Sequence, residues 1–358
     1  MSLDLVLLGL IPHNPYIKSP ASTRAPKSTP TLEATDFRLN RIVRLLTDNA
    51  TVVVSGTKIA AELGASRSEV WRLIRQLRAN GVAIAGHPSI GYQLEAMPDL
   101  LLPDILAPLI SGTMFAGQVH HYFRAGSTNA LALEAGAAGA PEGSVFLAEE
   151  QTAGRGRGGH AWHSSRADGI YCSVLLRPHL PPAQVLLLAL ATGLAVRAAV
   201  LEVTGLNADL KWPNDLLLGN KKFCGILTEM HSEATRVRHV VAGIGLNVNH
   251  STFPEDLRDQ ATSLYIESRT VCSHVELVGA LLKSLDREYR LLLSGDDARE
   301  SILHRFQEYS SWTSGCAVRI EDTEIFTGIT EGLDAQGFLL VRTPQGLRTV
   351  VSGTVRRQ

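Results

Sequence analysis

Cysteine is scarce in this chain of 358 residues. Its four thiols, Cys172, Cys224, Cys272 and Cys316, lie 52, 48 and 44 residues apart, with no CxxC pair and no matching histidine spacing. That spacing argues against a structural zinc site and a disulfide framework, and suits a reducing, cytoplasmic setting. An excess of charge is also missing: 34 Lys plus Arg against 35 Asp plus Glu leave a net charge of −1. A chain held on nucleic acid or membrane by bulk charge is thereby ruled out, although a local basic face is not. No run is long and uncharged enough to span a bilayer, and the short apolar start Leu5–Ile11 lacks a basic flank. We therefore expect no membrane partner. What is present is core material, with 45% hydrophobic and 19% charged residues, which excludes global disorder.

The length suggests two or three domains at roughly 100–200 residues each. Five of the 16 prolines fall in the first thirty residues, so residues 1–35 are expected to be a disordered tail. From Phe37 to Asn80 there are eight basic and three acidic residues, an excess hidden by the neutral total. Phe37, Ile42, Leu45 and Leu46 suit one face of a first helix. Thr57–Leu63 reads as a second helix ended by Gly64, and Ser66 is an N-cap for a third. That third helix would bury Val70, Ile74 and Leu77 and turn out Arg67, Trp71, Arg72, Arg75 and Arg78. Val82, Ile84 and Gly91–Leu94 then read as a wing. Residues 36–97 are thus a winged helix-turn-helix, with Arg67, Arg72 and Arg75 as candidate DNA contacts; the bland alternative is a solvated basic helix. Prolines 98, 103 and 108 mark residues 98–112 as a linker.

Residues 113–308 alternate strand-like runs (145–148, 170–176, 225–229, 240–243) with helical ones (129–138, 183–203, 274–294), which predicts a mixed α/β domain. Residues 309–358 carry short β runs at 317–320, 326–330, 338–342 and 349–351, split by Gly-bearing turns, and predict a small barrel-like β domain. The overall class is α+β.

Four segments carry candidate chemistry. Gln151-Thr-Ala-Gly-Arg-Gly-Arg-Gly-Gly-His-Ala-Trp162 formally contains GxGxxG, at Gly154, Gly156 and Gly159. A dinucleotide fingerprint needs a helix directly behind it, and the residues that follow have no helical period. What remains is a glycine loop with two fixed cations, Arg155 and Arg157, able either to wrap an anionic ligand or to sit solvated on the surface. In Lys211-Trp-Pro-Asn-Asp215, Pro213 and the Asn-Asp pair set a bend, and Lys222 stands at the mouth of the strand that contains Gly225. In Gly243-Ile-Gly-Leu-Asn247, small residues permit close approach, and Asn247 offers the donor and acceptor that an adenine edge requires, or else closes an Asx turn. In Ala125-Gly-Ser-Thr-Asn129, Ser127 or Thr128 caps the next helix, or turns its hydroxyl to a neutral polar ligand.

Together, GSTN, the GRGR loop, KWPND, KxxGIL and GIGLNVN, in this order, resemble the biotin–protein ligases. From about residue 37 to the end the chain resembles the bifunctional biotin-[acetyl-CoA-carboxylase] ligase and biotin operon repressor type. The resemblance implies a class II synthetase-like central fold and an SH3-like C-terminal β-barrel. It implies an enzyme that makes biotinyl-5′-AMP from biotin, ATP and Mg²⁺, then biotinylates one lysine of the biotin carboxyl carrier protein of acetyl-CoA carboxylase. Operator DNA and a homodimer formed with adenylate bound are implied as partners. Carried over, Ser127, Thr128, Asn129, Gln151, Arg155, Gly156 and Gly225 would border biotin. Arg157 and Lys222 would face its carboxylate and the phosphate, Asn247 would face adenine, and Asp215 would influence the pocket or the metal.

Two positions depart from the family pattern. His160 stands where the loop's last arginine is usual, and Ser352-Gly-Thr354 where Gly-Glu is common, which removes a carboxylate. Two alternatives stand beside the ligase reading: a metabolite-sensing repressor without catalysis, and a lipoate-type ligase. Retention of Arg157, Lys222 and Asp215 argues against the first. A lipoyl chain has no ureido ring to use Ser127, Thr128 and Gln151, which argues against the second.

Overall fold

A computed structural model describes residues 29–358 apart from 97–98 and 234–235, and the side chains from Asp36 onward. Residues 1–28 of the expected tail lie outside the described residues, while its last part, from Thr29, is already helix.

The winged helix-turn-helix is α1 (Thr29–Thr47), α2 (Gly56–Leu63), α3 (Arg67–Ala79) and the hairpin β1 (Ile84–His87) with β2 (Gly91–Leu94). Gly64 ends α2 at φ 58°, where a side chain would be strained, and the Ser66 hydroxyl accepts from Glu69 N at 3.2 Å to start α3. α3 buries Val70, Leu73, Ile74 and Leu77, as its spacing requires. α1 differs from expectation. Its buried stripe is Leu39, Ile42, Val43 and Leu46, a run at i, i+3, i+4 and i+7 that has no place for Phe37, which is 67% exposed.

The stretch expected as a linker is packed. α4 (Pro103–Leu106) lies within it; Leu101, Leu106 and Ile110 join the main core, and Leu100 and Leu102 join the winged-helix core. Pro103 and Pro108 therefore stand in a packed connection.

The central domain runs β3 (Val119–Tyr122), α5 (Thr128–Ala137), β4 (Val145–Ala148), β5 (Gly169–Leu176), α6 (Val185–Thr204), β6 (Asp209–Lys211), β7 (Asp215–Leu218), β8 (Lys221–Glu233), β9 (Arg236–Asn247), α7 (Leu264–Ser268), α8 (His274–Leu293) and α9 (Asp296–Glu308). Its seven strands are ordered β3-β4-β5-β9-β8-β7-β6; β3 and β4 pair in parallel and the other neighbours are antiparallel. Strand alternation sorts the side chains. Val240, Ala242, Ile244 and Leu246 of β9, with Ile170, Cys172, Val174 and Leu176 of β5, enter one core with α6, α8 and α9. One expectation is corrected here: the helical stretch Pro182–Thr204 is apolar and long enough to cross a membrane by length and composition, and most of it is buried in this core. The opposite face holds Leu175 and Val241 against Ala132 of α5.

The C-terminal domain is an antiparallel sheet of β10 (Ser314–Glu321), β11 (Ile325–Leu333), β12 (Leu339–Thr343), β13 (Gly346–Val350) and β14 (Thr354–Arg357), ordered β13-β12-β11-β10-β14. It is tied to the central domain by Trp212 Nε1, which donates to Gly337 O at 2.9 Å.

Candidate active site

Register builds the site on the α5 face of the sheet. Tyr171, Gly245, Gly225 and Asp215 pair across β5, β9, β8 and β7, forming one row. Ser173, Gly243 and Leu227 form the next row. A methyl on Gly243 would lie 2.0 Å from Asn129 Oδ1, and one on Gly245 would lie 2.5 Å from Trp162 Cε2. A methyl on Gly225 would meet both Trp162 and Lys222 at 2.9 Å. The close approach read from the glycines is therefore made, in the first instance, by side chains of the protein itself.

A polar chain runs along this face. Asn129 Nδ2 donates to Glu229 Oε2 at 2.8 Å and to Leu227 O at 3.2 Å, and its Oδ1 accepts from Ser173 at 2.5 Å. The Thr128 amide and hydroxyl both reach Gln151 Oε1, at 2.8 and 3.1 Å, and Gln151 Nε2 donates to Ser164 Oγ at 3.1 Å. Arg155 Nη2 pairs with Glu229 at 3.1 Å. Ser127 caps α5, accepting from Ala130 N at 3.5 Å. Ser127, Thr128, Asn129, Gln151 and Arg155 are thus brought together. Asn129 is held by protein partners on both ends of its amide, so it builds the wall, whereas Thr128 and Gln151 hold a neutral bond that a ligand can exchange.

The glycine loop is folded into a tight hairpin. Arg155 and Ala161 are bridged, Gly156 N donates to His160 O at 2.7 Å, and Trp162 N donates to Gly154 O at 2.9 Å. Gly158 (φ 64°) and Gly159 (φ 79°) make the reversal, in a region where a Cβ is strained. This hairpin carries Arg157 inward, where its Nη1 donates to Asn214 Oδ1 at 2.9 Å. Lys222 pairs with Asp215 at 2.6 Å and sits 5.2 Å from the Trp162 ring centroid. Asn214 is itself fixed by two bonds to Ile226, each 2.8 Å. Two cations from separate segments therefore converge on one turn. Burial pulls the Arg157 guanidinium below its ordinary range, against the opposing charges of Asp215 and Asp322. Burial likewise lowers Lys211, which Asp215 opposes and which Lys222, Arg356 and Arg357 push further down. Lys211 and Arg357 lie 4.7 and 4.4 Å from the Trp312 ring centroid. Asn247 is buried and donates to Thr262 O at 3.1 Å, while Thr262 N donates to Lys222 O at 3.0 Å. The adenine candidate and the phosphate candidate thus share one support.

The family model described as Biotin/lipoate A/B protein ligase family matches residues 124–247, the span that supplies this site up to Asn247. HTH domain matches 38–93 and Biotin protein ligase C terminal domain matches 313–356. The Bacillus subtilis bifunctional ligase/repressor BirA is 32% identical over 316 residues, 88% of this chain and 97% of that protein.

The chain belongs to the biotin protein ligase family.

Its Escherichia coli relative, also a bifunctional ligase/repressor BirA, is 28% identical over 84% of this chain and 92% of its own. The biotin protein ligase of Aquifex aeolicus, solved in complex with biotin and ATP, matches with a TM-score of 0.60 and 28% identity, covering 68% of this chain and 100% of that one. Against this background, three residues beside the candidate site have no assignment from the sequence. Trp162 closes the loop but has no motif role in the linear reading. Glu229 lies inside β8, two residues past the KxxGIL motif, and only β-alternation puts it on the site face. Asp322 comes from the turn between β10 and β11 and accepts from Ser352 Oγ at 3.1 Å, and its charge opposes the lowering of Arg157. In the winged helix, Arg67, Arg72 and Arg75 all lie exposed on α3; Arg72 stands 3.9 Å from Glu69, which also binds Arg38.

Proposed function

We infer that the protein activates biotin with ATP and biotinylates a lysine of the biotin carboxyl carrier protein, and that it also represses biotin-synthesis genes in response to biotin. The carrying observation is the convergence of Arg157 and Lys222 on the Asn214–Asp215 turn. In the first step a biotin carboxylate oxygen attacks the α-phosphorus, the bond to the β-phosphate oxygen breaks, and pyrophosphate leaves. Two anions approach, so fixed cations are what the barrier needs, and no base is required because the nucleophile is already ionised. Arg157 and Lys222 fill that role. Lys211, whose charge interacts with those of Lys222 and Asp215, adds a further cation to this field. In the second step the carrier lysine nitrogen attacks the acyl carbon, AMP departs with the bonding pair, and the nitrogen loses a proton.

Ser127, Thr128, Gln151 and the Arg155–Gly156 backbone border the ureido ring in this reading, Gly225 admits the ligand close to the strand, and Asn247 faces adenine. ATP enters as its magnesium complex. Among the described residues no three His, Cys, Asp or Glu side chains could hold a metal. Asp215 is already paired with Lys222. Magnesium on ATP is held mainly by the phosphates with one or two carboxylates, and Asp215 is the candidate to influence it, directly or through water. The mixed anhydride hydrolyses in water, and the hairpin with Trp162 is the cover that suits it. Adenylate-dependent homodimerisation would place two winged helices on an operator. The four free cysteines suit a cytoplasmic protein.

The test is ATP- and biotin-dependent labelling of a purified carrier domain, with lipoate as competitor. Labelling that needs both substrates and resists lipoate supports the reading. Absence of labelling with intact biotin binding would leave a metabolite-sensing repressor.

A further inference from the structure

The face that α3 presents to solvent is chemically uneven. Arg67, Trp71 and Arg75 recur every four residues along it and form one stripe about 12 Å long. Their neighbours are committed elsewhere. Arg72 faces Glu69, Glu69 also binds Arg38, and Arg78 Nε donates to Ile84 O of the wing at 2.9 Å. Arg67 and Arg75 have no ion pair among the described residues. Trp71 is 52% exposed, a large apolar surface that folding does not use. Arg75 lies over it, its guanidinium carbon 4.7 Å from the ring centroid.

We propose that Trp71 and Arg75 are the pair that reads the operator, with Arg75 on a guanine and Trp71 against the methyl of a neighbouring thymine. The proposal rests on the DNA-binding reading of the winged helix given above and names its specificity determinants. Stacking on the indole fixes the plane of the guanidinium, and a fixed planar fork matches the N7 and O6 acceptors that only guanine offers in the major groove. The benzo edge of the indole is apolar, and the thymine methyl is the apolar feature of that groove. The stripe has no exposed amide for adenine, and its one nearby carboxylate, Glu69, is held by two arginines, so a cytosine amine has no free acceptor. Arg67, at the start of α3, is not stacked on the Trp71 ring as Arg75 is; it contacts phosphate and carries no sequence information.

The experiment uses the full-length protein with biotin, ATP and magnesium, and selection from a randomised duplex library. Wild type is expected to enrich half-sites with a guanine next to a thymine. Replacing that guanine by 7-deazaguanine should weaken wild type about tenfold and leave Arg75→Ala unaffected. Replacing the thymine by uracil should weaken wild type but not Trp71→Ala. Trp71→Phe should keep part of the guanine preference, because a ring still supports the guanidinium. Arg67→Ala should weaken all sequences evenly. An unchanged thermal midpoint and far-UV circular dichroism of each variant report that the winged helix is folded, and carrier biotinylation that the ligase domain is. If Trp71→Ala and Arg75→Ala select the wild-type sequence with undiminished discrimination, the proposal is overturned. If wild type enriches no sequence at all, the DNA-binding reading fails first, and the two failures are distinct.

Discussion

Gly245→Ala is the most direct probe of how the site is built. The added methyl would lie 2.5 Å from Trp162 Cε2 and 2.6 Å from its Nε1. Ordinary carbon contacts sit at about 3.5–4.0 Å, so the overlap is about 1 Å. The backbone has no room to retreat, since Gly245 is paired with Tyr171 on one side and Gly225 on the other. The indole must therefore lift. Trp162 is joined to Gly154 through its own amide, so a lifted ring carries the hairpin and Arg157 with it. Overpacking of this kind costs about 1–3 kcal/mol, or about 2–4 °C of Tm for each kcal/mol. The effect on chemistry should be larger in proportion, because a displacement of about 1 Å in a positioned group costs on the order of 100-fold. Pyrophosphate release at varied biotin should show kcat/KM for biotin falling by that order, and tryptophan emission should shift red as the ring becomes hydrated. Unchanged kcat/KM with unchanged emission would refute the claim that Trp162 and the glycine row form one packed unit.

The remaining predictions concern charge. Lys222→Ala should lower adenylate formation by about 10²–10³ in kcat, because a contact to developing charge is lost and Asp215 is left without its partner; undiminished pyrophosphate release would contradict it. Arg157→Gly removes the hairpin's anchor on Asn214, so adenylate should escape and label unrelated lysines; labelling confined to the carrier would show that the hairpin does not shield it. His239 and His250 are lowered by burial from 6.5 to about 4. Between those values the unfolded chain binds the protons and the native chain does not, so each supplies stability present above pH 6.5 and lost as pH falls toward 4, at most about 3 kcal/mol. Asp36, raised by burial from 3.8 to about 6, acts in the opposite sense, since its contribution is lost as pH rises through that range. Urea midpoints of His250→Phe should therefore show a shallower fall from pH 6.5 to 4 than wild type, and an identical slope would argue against a neutral buried His250.

The legible parts of this protein were those written in local rules. The period of α3, its Ser66 cap and the Gly64 stop are consecutive residues obeying helix geometry, and the structure keeps them. The helices that the apolar runs predict at 129–138, 183–203 and 274–294 lie within two residues of α5, α6 and α8. β3, β6, β7, β14, α4, α7 and α9 have no period that stands out in the sequence, because each is too short or too polar. Counting aromatics as apolar puts Phe37 on the buried face of α1, whereas the buried stripe begins two residues later, at Leu39.

By itself the sequence determined the three-part order of the chain, the family motifs and the residue types available for chemistry, because these depend on composition and short-range spacing. Only the tertiary structure decided which groups meet. Arg157 and Asn214 are separated by 57 residues and joined at 2.9 Å, and Arg155 and Glu229 by 74 residues at 3.1 Å. Strand register fixed those meetings: side chains alternate across a pleated sheet, so the pairing of β5, β9, β8 and β7 alone set Gly225, Gly245 and Asp215 in one row on one face, a relation that no linear spacing contains.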